Sequence, residues 1–405
     1  MKDLNKLSEK LTVHYAAAFF TYFSAFCMIR SFISVYLSDR GFSYTQVGII
    51  TAIHMLITAV IQPLYAQILD RFPKLGLRRF IALCCIPSAI CSILTFLLPA
   101  RLIFFIPLYI IFGLTEIGLQ SLMVSVGMEY VNAGVPINAG LGRGFGSMGY
   151  AVSNMILGAL IVRFGAPVSQ KLNILLLAVM ILLILSLPDP WKTGGIPQEK
   201  TDRDELPSDS VSVFLQKNRV FALFTFSVIF LFFGHSVVNT YMPNVAAQFG
   251  KGSDFTGMIV GISAALELLP MMFYTLINRK ISSLQLLSIS AIFFTVKLLT
   301  AALAPNAGWL VVSQFMQILA YALYAMSSIY FTNRAVSPHN RVMAQGLLIG
   351  AGEVGFMIES LVGGIILDHM SVRVLLWVGV AISAIGSVMM LSALSQFRKN
   401  YITGE

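Results

Sequence analysis

Long apolar runs recur along the chain from Val13 to Leu394, and they limit its fold more than any other feature. Each run has about the length at which a helix crosses roughly 30 Å of hydrocarbon. Inside a bilayer the backbone amides and carbonyls must be satisfied within the element itself, which an α-helix achieves. The chain is 57% hydrophobic and 11% charged, far from the composition of a soluble domain. The sequence therefore predicts an all-α membrane protein.

The apolar runs predict twelve transmembrane helices in two sets of six, separated by one long polar segment. The predicted spans are 12–38, 45–69, 78–98, 102–128, 140–163, 170–187, 219–248, 254–277, 283–303, 307–333, 341–366 and 373–394. The polar segment is rich in proline and charge, which is typical of a linker. We therefore expect an N-terminal six-helix half over 1–187, a cytoplasmic linker over 188–217 and a C-terminal six-helix half over 218–405.

Basic residues are concentrated in the tails and in the loops on one side of the predicted helices, which places both termini in the cytoplasm. A basic turn follows the second helix of each half, as LDRFPKLGLRRF in the first and LINRKISSLQ in the second. A parallel repeat of six helices would place the two turns in this way. We expect a multi-pass protein of a bacterial cytoplasmic membrane.

Several functional classes are excluded by the same pattern. Cys27, Cys84, Cys85 and Cys91 all fall in apolar runs, which predicts buried thiols and neither a disulfide framework nor a metal site. The net charge of +9 comes from short loops and forms no stripe for nucleic acid. Neither a nucleotide-binding loop nor a clustered nucleophile and base occurs. We expect a monomer that is not an enzyme and needs no cofactor.

Charged residues inside the predicted spans are costly and usually face a cavity or a partner. Residues of this kind that we assign to proton coupling or charge pairing are Arg30, Glu116, Glu353, Glu359 and Lys297. Arg30 falls well inside the first predicted helix, so it needs an acidic partner. Glu116, Glu353 and Glu359 are the alternatives, and the sequence does not choose among them.

The fifth predicted helix carries a polar stripe of Arg143, Ser147, Tyr150 and Asn154. Their offsets of about one helical turn place them on one face. Such a set suits a hydroxyl-rich ligand, with hydrogen bonds from the arginine and stacking from the tyrosine. In the alternative, Arg143 extends to the membrane surface or pairs with a loop acid such as Glu129. The glycines between these residues predict close packing between helices.

Polar residues of the tenth helix also share one face, including Gln317 and Tyr321. On the eighth helix Glu267 is the strongest candidate for a functional carboxylate, and the alternative is a structural ion pair with Lys297. On the seventh helix His235 and Asn239 are one turn apart. Lining of a cavity and hydrogen bonding between helices both explain such stripes.

Three segments carry a family resemblance, namely SVYLSDRGFSYTQVGII, QPLYAQILD and LDRFPKLGLRR. They resemble the major facilitator superfamily, and within it the oligosaccharide:proton symporters of the lactose permease type. The first two are similar to that family's first helix pair, and the third is similar to the superfamily's loop motif. GLGRGFGSMGY is similar to the fifth-helix segment and LELLPMMFYTLINRK to the eighth. The resemblance implies a sugar-binding role for Arg143, Tyr150 and Glu267, with Lys297 in place of a ninth-helix arginine.

The sequence also departs from that family. Ser125 and Pro270 replace two sugar-binding residues, and Asn239 replaces a seventh-helix aspartate. Gln317 and Ala320 stand at the positions of the tenth-helix histidine and of the glutamate that carries the proton. The resemblance thus implies that proton coupling is either absent or has moved to another titratable residue, for which Glu116, Glu267, Glu353 and Glu359 are available.

Together these features predict a secondary active transporter that takes up a small polar solute with protons by alternating access. The solute implied by the resemblance is a sugar or oligosaccharide. We expect Arg143, Tyr150 and Glu267 to hold it, with help from His235, Asn239, Gln317 and Tyr321. A nucleoside, an aromatic acid or a drug carried on the same fold is the alternative.

Overall fold

The computed structural model describes residues 2–71, 75–135, 137–190, 193, 211–337 and 340–403. All regular elements in these ranges are helical. The helices are α1 (Lys2–Arg30), α2 (Ile33–Asp39), α3 (Tyr44–Arg71), α4 (Leu77–Leu97), α5 (Leu102–Thr115), α6 (Gln120–Asn132), α7 (Ala139–Phe164), α8 (Val168–Ser186), α9 (Val211–Lys217), α10 (Arg219–Thr240), α11 (Met242–Ala247), α12 (Ser253–Lys280), α13 (Ser283–Ala302), α14 (Ala307–Phe315), α15 (Tyr321–Ala335), α16 (Arg341–His369) and α17 (Val372–Thr403). Most of the predicted linker lies outside the described residues.

Twelve stretches of these helices are long and apolar enough to cross a membrane, which confirms the predicted all-α transmembrane fold. The boundaries of the two halves at 187 and 218, and the cytoplasmic location of the termini, stay predictions.

The first predicted span differs from the structure, because the helix is interrupted. α1 ends at Arg30, and α2 begins after a turn at Ile33. Arg30 therefore lies in the last turn of a helix and not in the helix interior as predicted. In this position its positive charge interacts favourably with the negative end of the helix dipole. The seventh predicted span is divided in the same way between α10 and α11.

Two further spans, the fourth and the tenth, are broken near their middle by short 3₁₀ turns, Ile117–Leu119 and Met316–Ile318. A break leaves backbone carbonyls without their helical partners, and in a membrane these must be satisfied by other groups. The Tyr22 hydroxyl donates to the carbonyl oxygens of Glu116 and Ile117 at 3.1 and 3.2 Å. The Ser290 hydroxyl donates to the carbonyl oxygen of Ala320 at 2.6 Å. Side chains from neighbouring helices thus stabilise both breaks.

Contacts divide the chain into two units. The first comprises residues 1–42 and 56–202, and the second residues 43–55 and 203–405. The first turns of α3 therefore belong to the second unit and the rest of α3 to the first.

In the first unit α1 packs closely against α7 through glycines. A methyl group at Gly149 would lie 2.5 Å from the backbone oxygen of Phe20, and one at Gly146 would lie 2.7 Å from the Phe23 ring. Gly142 faces Tyr15 in the same way. The predicted packing role of these glycines is confirmed. All four cysteines also belong to this unit, three of them buried and Cys84 half-buried.

In the second unit α10 packs between α16 and α17. Gly355 on α16 faces the backbone oxygen of Ile229, and Gly386 on α17 faces Phe230. The Asp368 carboxylate, near the end of α16, accepts the backbone amides of Tyr44 and Thr45 at 2.8 and 2.7 Å. It thereby satisfies the first amides of α3, which have no partner within the helix.

Candidate functional site

A buried hydrogen-bond chain joins three helices of the second unit. The Lys297 ammonium on α13 donates to Gln317 Oε1 at 2.5 Å, and Gln317 Nε2 donates to Glu267 Oε1 at 2.6 Å. Lys297 and Gln317 are 1% and 2% exposed, whereas Glu267 on α12 is half-buried. An ammonium inside the membrane requires an acceptor, and the Gln317 amide supplies it while passing a donor to the carboxylate.

The predicted pair of Glu267 and Lys297 is thus bridged by a third residue. Gln317 lies in the 3₁₀ turn that breaks the tenth span. From this turn its side chain contacts both Glu267 on α12 and Lys297 on α13. Glu267 is less buried than Gln317 and Lys297. Of these three residues, it is therefore the best placed to accept hydrogen bonds from a solute.

An aromatic stack lies next to this chain. The rings of His235 on α10 and Tyr321 on α15 are parallel, with centroids 5.2 Å apart and an interplanar angle of 4°. Phe294 on α13 meets the His235 ring edge-on at 5.5 Å. Phe294 and Lys297 are three residues apart, so both groups lie on the same face of α13. Flat aromatic faces beside polar groups suit a ring-shaped solute that carries hydroxyls.

Asn239 is half-buried one turn after His235, and its side-chain amide donates to the His235 backbone oxygen at 2.7 Å. This bond occupies one donor of the amide and leaves its oxygen for other partners. The structure thus brings five of the predicted solute contacts into one region of the second unit. They are His235, Asn239, Glu267, Gln317 and Tyr321.

Two of the predicted coupling residues are on α16. Glu359 is completely buried, and the Ser236 hydroxyl donates to its Oε2 at 2.6 Å. Glu353 is half-buried, about two turns earlier on the same helix. The two carboxyls therefore occupy different environments, and the structure does not join them into one site.

In the first unit Tyr150 is half-buried on α7. Its hydroxyl accepts a hydrogen bond from Ser31 at 2.8 Å, and its ring meets Phe26 at 6.0 Å. The Arg30 guanidinium lies over the Phe26 ring, 5.6 Å from its centroid. The Arg30 guanidinium, the Phe26 ring and the Ser31 hydroxyl near the end of α1 thus form, with Tyr150, a cluster of polar and aromatic side chains in the first unit.

Glu116 is completely buried at the end of α5, where it precedes the break in the fourth span. Its Oε2 accepts the side-chain amide of Asn173 at 3.1 Å, and that same amide also reaches Ser92. Asn173 comes from α8, so the carboxyl joins helices within the core of the first unit. This arrangement favours a structural role for Glu116.

Arg143 lies on α7, but its side chain is outside the described residues. Asn154, from the same predicted stripe, is buried and donates to the Tyr150 backbone oxygen at 2.8 Å. The stripe therefore includes at least one residue whose bond is local to the helix.

Sequence reasoning missed Ser31, Ser236 and Asn173, which hold Tyr150, Glu359 and Glu116. Hydroxyl and amide side chains are frequent in membrane helices, and most bond only to their own backbone. For Ser236 there was one signal, because it lies one turn before Asn239 and beside His235.

A family model described as the MFS_1-like family matches residues 12–352. The chain belongs to this family of the major facilitator superfamily. No curated protein matches it.

This major facilitator protein also matches solved structures over nearly their whole length. Two structures of the nucleoside transporter NupG, one of them a mutant, match with TM-scores of 0.79 and 0.80 at 16% and 17% identity. Each match covers 95% of this chain and at least 98% of the other. A bacterial homologue of the human lysosomal transporter Spinster, in an inward-facing and unoccupied conformation, matches with a TM-score of 0.68 at 15% identity, over 97% of this chain and 98% of its own. These likenesses show that the same fold extends over nearly the whole chain.

Proposed function

We propose that this protein is a secondary active transporter that takes up a small hydroxylated ring compound with protons. The observation that carries the proposal is the Lys297, Gln317 and Glu267 chain beside the stacked rings of His235 and Tyr321. The carboxylate and the amide suit the hydroxyls of such a solute, and the tyrosine ring suits its flat face.

The first candidate is a sugar or oligosaccharide, as the resemblance to the lactose permease branch implies. Arg143 and Tyr150 are the contacts we propose from the first unit. We place the transporter as a monomer in a bacterial cytoplasmic membrane. There an inward proton gradient would drive uptake by alternating access, as in other transporters built from helical repeats.

The second candidate is a nucleoside. Two observations favour it, namely the likeness to NupG and the parallel aromatic pair, which offers a stacking surface of the kind a base would use. A ribose would then place its hydroxyls near Glu267 and Gln317. Fold alone does not choose between the two candidates, because related transporters carry different solutes.

The test is uptake into liposomes that contain the purified protein. Labelled glucose, melibiose, maltose, uridine and adenosine would be supplied with and without an inward proton gradient. We expect one chemical class to show saturable uptake that Glu267→Gln and Arg143→Ala both abolish. Asp254→Asn, an exposed carboxylate in the first turn of the same helix as Glu267, is the control for insertion and should transport normally.

Uptake of a nucleoside alone would overturn the sugar assignment, and the reverse result would overturn the nucleoside assignment. If a correctly inserted protein transports none of the five labelled compounds, the proposed function is wrong. It is also wrong if the uptake rate is unchanged by both Glu267→Gln and Arg143→Ala.

A further inference from the structure

Glu359 is an intramembrane carboxyl that is completely buried, and one described side chain donates a hydrogen bond to it. Its exposure is 0%, and the Ser236 hydroxyl donates to Oε2 at 2.6 Å. Its other oxygen, Oε1, has no hydrogen-bond partner among the described residues. Within the same ranges, no lysine, arginine or histidine nitrogen lies within 4.0 Å of either oxygen. An ionised carboxylate in this environment would be uncompensated, which is energetically very costly.

Solvent does not reach Oε1, because the Glu359 side chain is completely buried. A methyl group on Gly363 would lie 2.9 Å from this oxygen and 2.6 Å from the ring of Tyr241. The Tyr241 hydroxyl donates to the Ser360 backbone oxygen at 2.9 Å and is thus not directed at the carboxyl. In this conformation no cation among the described residues balances a charge on Glu359, and solvent does not reach its carboxyl group.

The contact with Ser236 is compatible with a neutral carboxyl. When Oε2 carries the proton, it can donate to the Ser236 oxygen, and the Ser236 hydroxyl can then donate to Thr240 Oγ1, 3.1 Å away. When the proton is lost, the direction reverses and Ser236 donates to the carboxylate. A short hydroxyl contact that works in both states is what a reversible proton site requires.

The elements packed against this part of α16 carry other titratable and charged groups. They are Arg219, His235 and Tyr241 from α10 and its end, Tyr44 and His54 from α3, Tyr321, Tyr324, Tyr330 and Arg334 from α15, Arg373, Arg398 and Lys399 from α17, and Arg341, Glu353, Asp368 and His369 from α16 itself. Of these, Tyr241 lies near Glu359, since its ring and Glu359 Oε1 both face Gly363. His235 is engaged in the aromatic stack with Tyr321.

Glu359 also lies next to the residues of α16 that pack against the first turns of α3. The two helices approach closely there. A methyl group at Gly48 on α3 would collide with the Ser360 backbone, and one at Gly364 on α16 would collide with the Tyr44 backbone. α3 is also the helix whose residues are divided between the two units. A rearrangement of α3 would therefore act beside Glu359, whereas Glu116 is enclosed by helices of the first unit.

We propose that Glu359 is a proton-binding site of the transport cycle, neutral while α3 is seated on α16 and ionised when this region opens to water. In the opening step the carboxyl O–H bond breaks, the proton passes to a water molecule, and the carboxylate is hydrated. The inference rests on the proposed function for its place in a transport cycle, but the presence of the proton site can be tested without any solute.

The solute-independent test is infrared spectroscopy of the full-length protein in liposomes, titrated over pH. A neutral carboxyl buried away from water has a distinct C=O stretching band. We expect Glu359→Gln to remove one such band, and we expect Ser236→Ala to shift its frequency because the hydrogen bond is lost. Asp39→Asn, an exposed carboxyl, should leave the band unchanged. If Glu359→Gln leaves every neutral-carboxyl band in place, the proposal is overturned.

The second test uses a pH-sensitive dye inside the liposomes and whichever of the five labelled compounds is transported. Glu359→Gln should reduce solute-driven proton uptake by about tenfold or more while solute exchange across the membrane continues, because a neutral amide mimics the protonated carboxyl. Glu359→Asp should restore part of the flux. Loss of proton uptake in Glu116→Gln but not in Glu359→Gln would contradict the assignment.

The two failures can be told apart. If the wild-type protein transports none of the five compounds, the proposed function fails, while the infrared band still decides whether Glu359 holds a proton. If transport and proton uptake both proceed normally in Glu359→Gln, the proposed function stands and this inference fails.

Discussion

The side-chain amide of Gln317 donates to the carboxylate of Glu267 at 2.6 Å. Through its oxygen the same amide accepts the Lys297 ammonium, so one neutral side chain serves two opposite charges. An apolar side chain at this position could form neither hydrogen bond. The two partners, Glu267 on α12 and Lys297 on α13, come from two helices that do not carry Gln317. The relationship makes Gln317 a structural requirement as well as a proposed solute contact.

We expect Gln317→Leu to lower the free energy of unfolding by about 2–3 kcal/mol, because it leaves the Lys297 ammonium buried without this acceptor. Thermal unfolding of the purified protein in detergent would measure the change. Gln314→Leu is the matched control, since Gln314 is equally buried but, among the described residues, its amide donates only to the adjacent Ser313. Equal destabilisation by the two substitutions would show that the bridge contributes nothing specific.

The His235 and Tyr321 stack predicts a difference between two substitutions at Tyr321. Tyr321→Phe keeps the ring and should change the KM for the transported solute by less than about twofold, whereas Tyr321→Leu removes the stack and should raise it about fivefold. Initial uptake rates over a range of solute concentrations provide the measurement. An unchanged KM in Tyr321→Leu would remove the ring from the proposed site, and a large change in Tyr321→Phe would assign the effect to the hydroxyl.

The contact of α1 with α7 predicts opposite tolerance at two nearby glycines. Gly149→Ala places a methyl group 2.5 Å from the Phe20 backbone oxygen and should destabilise the protein by about 1–3 kcal/mol. Gly144→Ala meets no atom within 4 Å and should be tolerated. Melting temperatures of the two variants in one detergent decide the matter. A stable Gly149→Ala protein would mean that α1 and α7 are further apart than described.

The Asp368 cap predicts a local change in protection at the start of α3. Asp368→Ala removes the acceptor for the Tyr44 and Thr45 amides and should cost about 1 kcal/mol of local stability, which corresponds to about fivefold faster amide exchange. Hydrogen exchange of a peptide that covers these residues, followed by mass spectrometry, reports the rate. Asp254→Ala, in the first turn of α12, is the control and should leave this peptide unaffected.

The transmembrane helices could be predicted from the sequence because their signal, length and apolar composition, is contained in each segment alone. The breaks could not be predicted in this way. The break after Glu116 depends on the Tyr22 hydroxyl, which comes from a helix more than ninety residues away in sequence. The sequence predicts Arg30 inside a helix for the same reason, since the length of an apolar run does not show where its backbone turns.

The candidate site divides along similar lines. Helical periodicity predicts that Gln317 and Tyr321 belong to one set of polar residues, and the cost of charges in a membrane gives an ion pair with Lys297 as the alternative to a functional carboxylate at Glu267. Periodicity fixes which residues share a face but not which face meets which neighbour. The bridging position of Gln317 and the bond from Ser236 to Glu359 both depend on the rotation of separate helices, and so only the structure reveals them.

The distribution of thiols has a practical consequence. Because every cysteine of the chain belongs to the first unit, the second unit is naturally devoid of sites for thiol-directed probes. After four replacements in the first unit, a single cysteine introduced anywhere in the second would carry a spin label or fluorophore alone. Pairs of such labels would then allow distances to be followed during turnover, with the proposed site left in its native sequence.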